Sequence, residues 1–173
     1  LIERDTQLAA IHTFLSRLRR AGRGALLIAG APGTGRSRLL TAGVAAALQQ
    51  GYAILPLDGR EPVPLAPGPG RLSVPWQELV SLPADEAEAR LRRLAAEDGC
   101  HGLLIVFDGW DDLDPAARSW VKRLLAGAGP MPVGVMATAG GAASVPTAPF
   151  VARVVVDALS QEATRVWVRG TLL

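Results

Sequence analysis

The segment Gly30-Ala31-Pro32-Gly33-Thr34-Gly35-Arg36-Ser37 has the residue types and spacing best suited to chemistry. It follows the pattern G-x-x-x-x-G-K-[ST] except that Arg36 stands where Lys is usual. Glycines at these positions let the backbone curl until successive N–H groups point inward, which suits phosphate oxygens. A helix beginning at the end of the loop would aim its N-terminus at the same anion. Ser37 would offer a hydroxyl to Mg²⁺. The plain alternative is an ordinary glycine-rich turn. The apolar run before the loop and the helical pattern after it argue for the phosphate-binding reading.

Two further positions fit that reading. Leu103-Leu104-Ile105-Val106-Phe107-Asp108 is an apolar run closed by a carboxylate, the pattern of a Walker B strand whose Asp holds Mg²⁺ through water. Alone it describes any buried strand with an acid at its end, and its place downstream of Gly30 gives it weight. Thr138 ends the next apolar run. Many P-loop ATPases with an extra strand between the two Walker strands place a polar residue there to sense the γ-phosphate, although a strand-ending Thr is commonplace. His12 and His101 are too isolated in the sequence to suggest a metal site.

Elements that would position these residues are readable from periodicity. Leu8, Ile11, Leu15 and Leu18 recur at helical spacing, which predicts an amphipathic helix over about 5–20, ended by Gly22 and Gly24. Strands are expected at 25–29, 52–57, 103–107, 133–137 and 151–156. Helices are expected at 37–50, 76–81 and 84–97, the last with Leu91 and Leu94 facing inward. Another should start at Asp114-Pro115, with Asp as N-cap and Pro at the first helical position, and run to about 126. Ser160 is expected to cap a final helix. Residues 58–75, rich in Pro and Gly, read as an irregular surface loop. Strands that alternate with helices and are continuously apolar imply a parallel sheet covered on both faces. The fold expected is α/β: a P-loop NTPase with a doubly wound parallel sheet of about five strands flanked by helices.

Composition is consistent with one globular domain over 1–173. The chain is 49% hydrophobic and 20% charged, which excludes a disordered chain. It begins with Leu1 and its last helical pattern runs into Leu173, which suggests a fragment of a longer protein. No apolar run approaches the roughly 18 residues needed to span a bilayer. Cys100 is the only cysteine, so no internal disulfide forms, and a reducing, cytoplasmic setting is expected. The net charge of +2 is no footprint for nucleic acid. Arg17, Arg19, Arg20 and Arg23 cluster, and read as a solvated helix end complementing the dipole. Lys122 is the only lysine, a bias that offers a bland explanation for Arg36.

Taken together, these segments resemble the signal-transducing ATPase (STAND) module of the large ATP-binding LuxR-type transcriptional regulators. Leu1-Ile2-Glu3-Arg4-Asp5-Thr6-Gln7-Leu8 is similar to that family's V-G-R-E-x-x-L opening. Asp108-Gly109-Trp110-Asp111-Asp112-Leu113-Asp114-Pro115 keeps the first Asp and the terminal Asp-Pro of D-D-x-x-W-A-D-P. Ala158-Leu159-Ser160-Gln161-Glu162-Ala163 is similar to P-L-S-x-E-A, which opens the helical part after the core. The resemblance implies a switch that holds ADP in a closed state and takes ATP when an inducer arrives. It places Ile2, Glu3 and Arg4 near the adenine, and gives Ala31, Pro32 and Thr34 to the nucleotide site with the rest of the loop. It also implies contact with DNA only through a domain outside these residues, contacts with other domains of the same protein, and self-association.

The departures fall on hydrolysis. Arg36 replaces Lys. Gly109 replaces the second acidic residue, and a carboxylate restored there is expected to raise turnover. The strand end Ala137-Thr138-Ala139-Gly140-Gly141 lacks the Arg that the family often carries. A general base is worth about 10²–10⁴ in rate, so its loss predicts slow turnover at best. Asp111 or Asp112 is the candidate substitute, although both also read as solvated or capping residues before Asp114. The reading is an adenine-nucleotide-binding switch module, taking ATP or ADP with Mg²⁺, in a signal-responsive transcriptional regulator with weak or absent hydrolysis. The rivals are a competent regulatory ATPase, a degenerate P-loop domain serving as a protein-interaction scaffold, and a small-molecule P-loop kinase.

For Arg36 two placements are open at this stage. The guanidinium swings out of the cradle, or it pairs with a carboxylate such as Asp108 and takes the metal position.

Overall fold

The computed structural model describes residues 3–57, 68–140 and 150–160. Helix α1 (Asp5–Ala21) buries Ile11, Phe14, Leu15 and Leu18, a stripe at three- and four-residue spacing. Strand β1 (Arg23–Gly30) follows, then α2 (Arg36–Gln49) and β2 (Tyr52–Pro56). Helices α3 (Trp76–Ser81) and α4 (Ala84–Glu97) lead to β3 (Gly102–Phe107). A 3₁₀ turn (Trp110–Asp112), α5 (Pro115–Ala126), β4 (Val133–Ala139) and β5 (Val151–Val156) complete the order. Asp114 caps α5 as expected, its carboxylate accepting from the Ala117 N–H at 2.8 Å with Pro at the first position.

The five strands form one parallel sheet in the order β2-β3-β4-β1-β5. Alternate residues of each strand serve opposite layers. Leu27, Ile105, Phe107 and Val135 pack beneath α3, α4 and α5, together with Leu91 and Trp120. Leu26, Ile28, Leu104, Val106 and Met136 pack beneath α1 and α2 with Leu15, Leu39 and Val44. The doubly wound α/β fold expected from the sequence is therefore observed. Helix α2 lies close to the sheet because residue 43 is glycine: a Cβ there would stand 2.6 Å from Met136 Sδ.

One expectation needs revision, and another lies outside the described residues. Near the end of the segment read as irregular over 58–75, Arg71 forms a single parallel bridge to Ile54, with Ile54 N–H donating to Gly70 O and Leu72 N–H to Ile54 O. Prolines at 69 and 75 leave room for this single pairing, because a one-residue bridge needs no proline N–H. The final helix expected from about 160 lies outside the described residues. Ser160 itself donates from N and Oγ to the Glu3 carboxylate at 3.1 and 2.7 Å. Among the described residues no helix is long and apolar enough to cross a membrane.

Candidate phosphate-binding site

In a doubly wound sheet, ligands gather beyond the C-terminal strand ends where the chain's direction of winding reverses. Here that crevice lies between β1 and β4. The chain leaves β1 through the glycine loop toward β2 on one side, and leaves β4 toward β5 on the other. The strand register brings the candidate residues to one face. Val106 pairs with Met136, both in the layer under α2, and two residues on in each strand stand Asp108 and Thr138. β4, which carries Thr138, lies between β1 and β3.

Glycine sets the shape of the loop. Gly33 and Gly35 take φ values of 81° and 92°, a left-handed conformation that side chains rarely adopt. At Gly30 a Cβ would lie 2.5 Å from Val156 O and 2.9 Å from Thr34 Oγ1, so the strand end passes too close for any larger residue. Thr34 Oγ1 donates to Ala31 O at 2.9 Å and folds the loop on itself. Gly35 precedes α2 without a side-chain cap, and no acidic residue lies in the first turn. The first N–H groups of a helix have no acceptor within it. Those of α2, from Arg36, Ser37 and Arg38, lie beside the loop with their dipole positive. Ala31 and Pro32 are exposed.

Arg36 does not pair with Asp108. Its Nη1 donates to Ala139 O at 2.5 Å, across the crevice between β1 and β4, and the carboxylate of Asp108 is bonded instead by Thr138 Oγ1. Gly109 N–H donates to the same Thr138 hydroxyl at 2.8 Å, so Thr138, 2% exposed, ties β4 to the end of β3. Asp111 accepts from Gly140 N–H at 2.7 Å and pins the chain as it leaves β4. Asp112 is exposed, yet its Oδ2 lies 2.7 Å from where a Cβ on Gly109 would be. This corrects the expectation for Gly109. Its φ is 97°, so a carboxylate restored there would strain the backbone and meet Asp112, and turnover would not rise simply.

Arg4 also departs from a simple reading. It is 6% exposed, and its Nη2 donates both to Thr34 O in the loop at 3.0 Å and to Asp157 O beyond β5 at 2.8 Å. It braces the loop through backbone acceptors. Ile2 lies outside the described residues. Beside the loop a cavity of about 460 Å³ is lined by Gly30, Ala31, Thr34, Arg153, Val155 and Asp157, among others. Sequence reasoning missed Arg153 and Asp157 as part of this site. In β5 Val154 and Val156 are buried while Val151 and Val155 are exposed, and the signal in the sequence was Arg153 itself, the one charged residue in an apolar run.

The AAA ATPase domain family matches residues 1–136. The chain belongs to that family. Its fold is also that of a solved structure, C. elegans PCH-2, with a TM-score of 0.59 at 14% identity. The match covers 99% of this chain and 48% of that one, so the AAA domain spans about half the length of the solved chain. No curated protein matches by sequence.

The residues of this AAA domain fit a magnesium nucleotide. Two left-handed glycines lead into an uncapped helix start, and a cavity against β5 opens beside Gly30, Ala31 and Thr34. Ser37 and Asp108 are two oxygen donors at the loop's end of the sheet. Mg²⁺ commonly takes one or two protein oxygens and completes its shell with phosphate and water, so two suffice.

Proposed function

We propose that this domain binds ATP or ADP with Mg²⁺ and acts as the switch module of a signal-responsive, LuxR-type transcriptional regulator in the cytoplasm, with hydrolysis slow or absent. The observation that carries the binding is the cradle, Gly33 and Gly35 at left-handed φ ahead of an uncapped α2. Backbone amides of the loop and of the first turn of α2 hold the phosphates. Ser37 and Asp108 hold Mg²⁺, which supplies charge neutralisation at the phosphates. Thr138 fixes the Asp108 carboxylate, and the cavity beside β5 takes the base and ribose. The regulator role rests on the resemblance of the opening segment, of Asp114-Pro115 and of the segment from Ala158. On that role, DNA is reached only through a domain outside this chain. Other domains of the same protein and further copies of this one are its direct partners.

Slow hydrolysis rests on Arg36, whose guanidinium is engaged with Ala139 O, and on Gly109, which brings no carboxylate. A working ATPase turns over at about 1 s⁻¹ or faster. Phosphate release from the purified domain at saturating Mg-ATP is expected far below that rate, and a rate above it overturns this part of the reading.

One observation favours a second reading, a competent ATPase. The Asp112 carboxylate stands over Gly109, where a side chain after the Walker B Asp would begin. If Asp112 orients the attacking water, Asp112→Asn lowers turnover by about 10² or more while nucleotide affinity stays unchanged. An unchanged rate removes this reading.

A further inference from the structure

We infer that Glu3 and Arg4 form a coupling strap that carries occupancy of the phosphate loop to the chain leaving β5. The inference rests on nucleotide binding as proposed above. These two adjacent residues hold both ends of one short segment, 157–160, which has no regular secondary structure. Arg4 holds Asp157 through its carbonyl, and the same nitrogen holds Thr34 O in the loop. Glu3 holds Ser160 through both the backbone N–H and the hydroxyl. Those two bonds are the main reason the Glu3 carboxyl titrates below its ordinary value of 4.5, with Arg4 adding a smaller pull.

The strap has little slack. Arg4 is buried, and its acceptors are main-chain carbonyls, so it reports the loop's conformation rather than the identity of any side chain. Thr34 is in turn folded onto Ala31, and Gly30 passes against Val156 O without room for a methyl group. Glu3 itself sits at φ 53°, an uncommon conformation for a residue with a side chain, and its two bonds to Ser160 offset the cost. A loop that closes on phosphate fixes Thr34 O, hence Arg4, hence Asp157, while Glu3 fixes Ser160. Without phosphate the loop carbonyl is freer and both attachments loosen together. Because coupling is reciprocal, a broken strap must also weaken nucleotide binding by the factor through which nucleotide tightens the strap.

Hydrogen exchange of the full chain, with and without ADP and Mg²⁺, tests this on wild type, Glu3→Ala and Ser160→Ala. In wild type, ADP is expected to slow exchange in both 30–37 and 157–160. In Glu3→Ala, which removes both bonds to Ser160, the loop stays protected by ADP, protection at residue 160 is lost, and ADP affinity falls about fivefold, the low end of typical coupling, while Ser160→Ala keeps the N–H bond to Glu3 and shows a smaller loss of both. Asp157 also lines the cavity, so direct contact with nucleotide is the competing explanation. In that case residue 160 stays protected by ADP in Glu3→Ala, which overturns the strap. Loop protection in wild type without any change at 157–160 overturns it as well. No protection in either segment overturns nucleotide binding itself, and the strap with it.

Discussion

Arg23 opens β1 and Arg36 opens α2 beyond the far end of that strand, and the two are held in opposite ways. At the N-terminal edge Arg23 is 4% exposed, and every nitrogen has an acceptor: Nε on Gly127 O at 3.0 Å, Nη1 on Gly22 O and Met131 O, and Nη2 on Glu88 at 2.5 Å. Arg92 shares the same carboxylate oxygen at 2.9 Å. Gly127 and Gly129 are shaped to this cluster, since a Cβ on Gly127 would stand 2.9 Å from Glu88 Oε2 and one on Gly129 closer still to Oε1. At the C-terminal edge Arg36 is only half-buried and reaches a single strand-end carbonyl across an open crevice. The helix beside it begins without a cap. At one edge Arg23 is satisfied internally and gains rigidity, although Arg92 Nε beside it is buried without a partner. The other leaves backbone donors for something outside the chain, as a ligand site must.

This contrast is sharpest under mutation. Glu88→Ala leaves Arg23 as a buried cation without its carboxylate, beside the partly exposed Arg92, and breaking a buried pair in this way costs about 3–5 kcal/mol. Chemical denaturation should show that loss, while the folded fraction keeps its nucleotide affinity. Equal damage to binding would mean that the two edges are not separable.

Gly35→Ala is the converse. Forcing a side chain into the left-handed region costs about 1–2 kcal/mol, but it tilts the amides away from the phosphates. Calorimetry should show nucleotide binding lost, with stability reduced only modestly. Retained affinity would show that the glycine serves the fold alone.

Arg36→Lys has a smaller effect. A Lys is a compact charge on a flexible stem, able to fold over the loop where a planar guanidinium is bulky. The preference for ATP over ADP should rise about tenfold, or about 1.4 kcal/mol. If Lys leaves that preference unchanged or weakens ATP binding, the Ala139 contact is a functional choice, and Arg36 belongs with Arg23 as a structural clamp.

The least effect is expected from pH. Glu3 has its folded-state pKa below the ordinary 4.5, so its contribution is fully present above that value and is lost as pH falls through the lower folded pKa. Stability of Ser160→Ala should therefore differ from wild type at neutral pH and converge with it in acid. A difference that persists there would place the effect outside the Glu3 contact.

Much of the C-terminal edge was legible in the sequence, because its logic is local. The glycine loop, the Walker B Asp and the cap at Asp114 each lie within eight residues, and their geometry follows from residue type at fixed spacing. What was not legible depends on distance. Arg4 bonds to carbonyls 30 and 153 residues away, and backbone acceptors leave no mark on composition. The direction of Arg36 is set by where β4 ends. The left-handed φ of Gly109 is invisible too, because a glycine can equally stand where a carboxylate was lost, and only Asp112 packed above it distinguishes the two. The buried partnership of Arg23 was hidden for the same reason, and the residue read as one more cation in a solvated cluster.

Titration calorimetry of the purified domain with ADP and with ATP, each with Mg²⁺, tests the central claim most directly. Saturable one-to-one binding is expected in wild type and none in Gly35→Ala, with both proteins folded by circular dichroism. No heat and no thermal shift in wild type at millimolar nucleotide would contradict the account, and would leave the cradle as a structural turn in a protein-interaction scaffold.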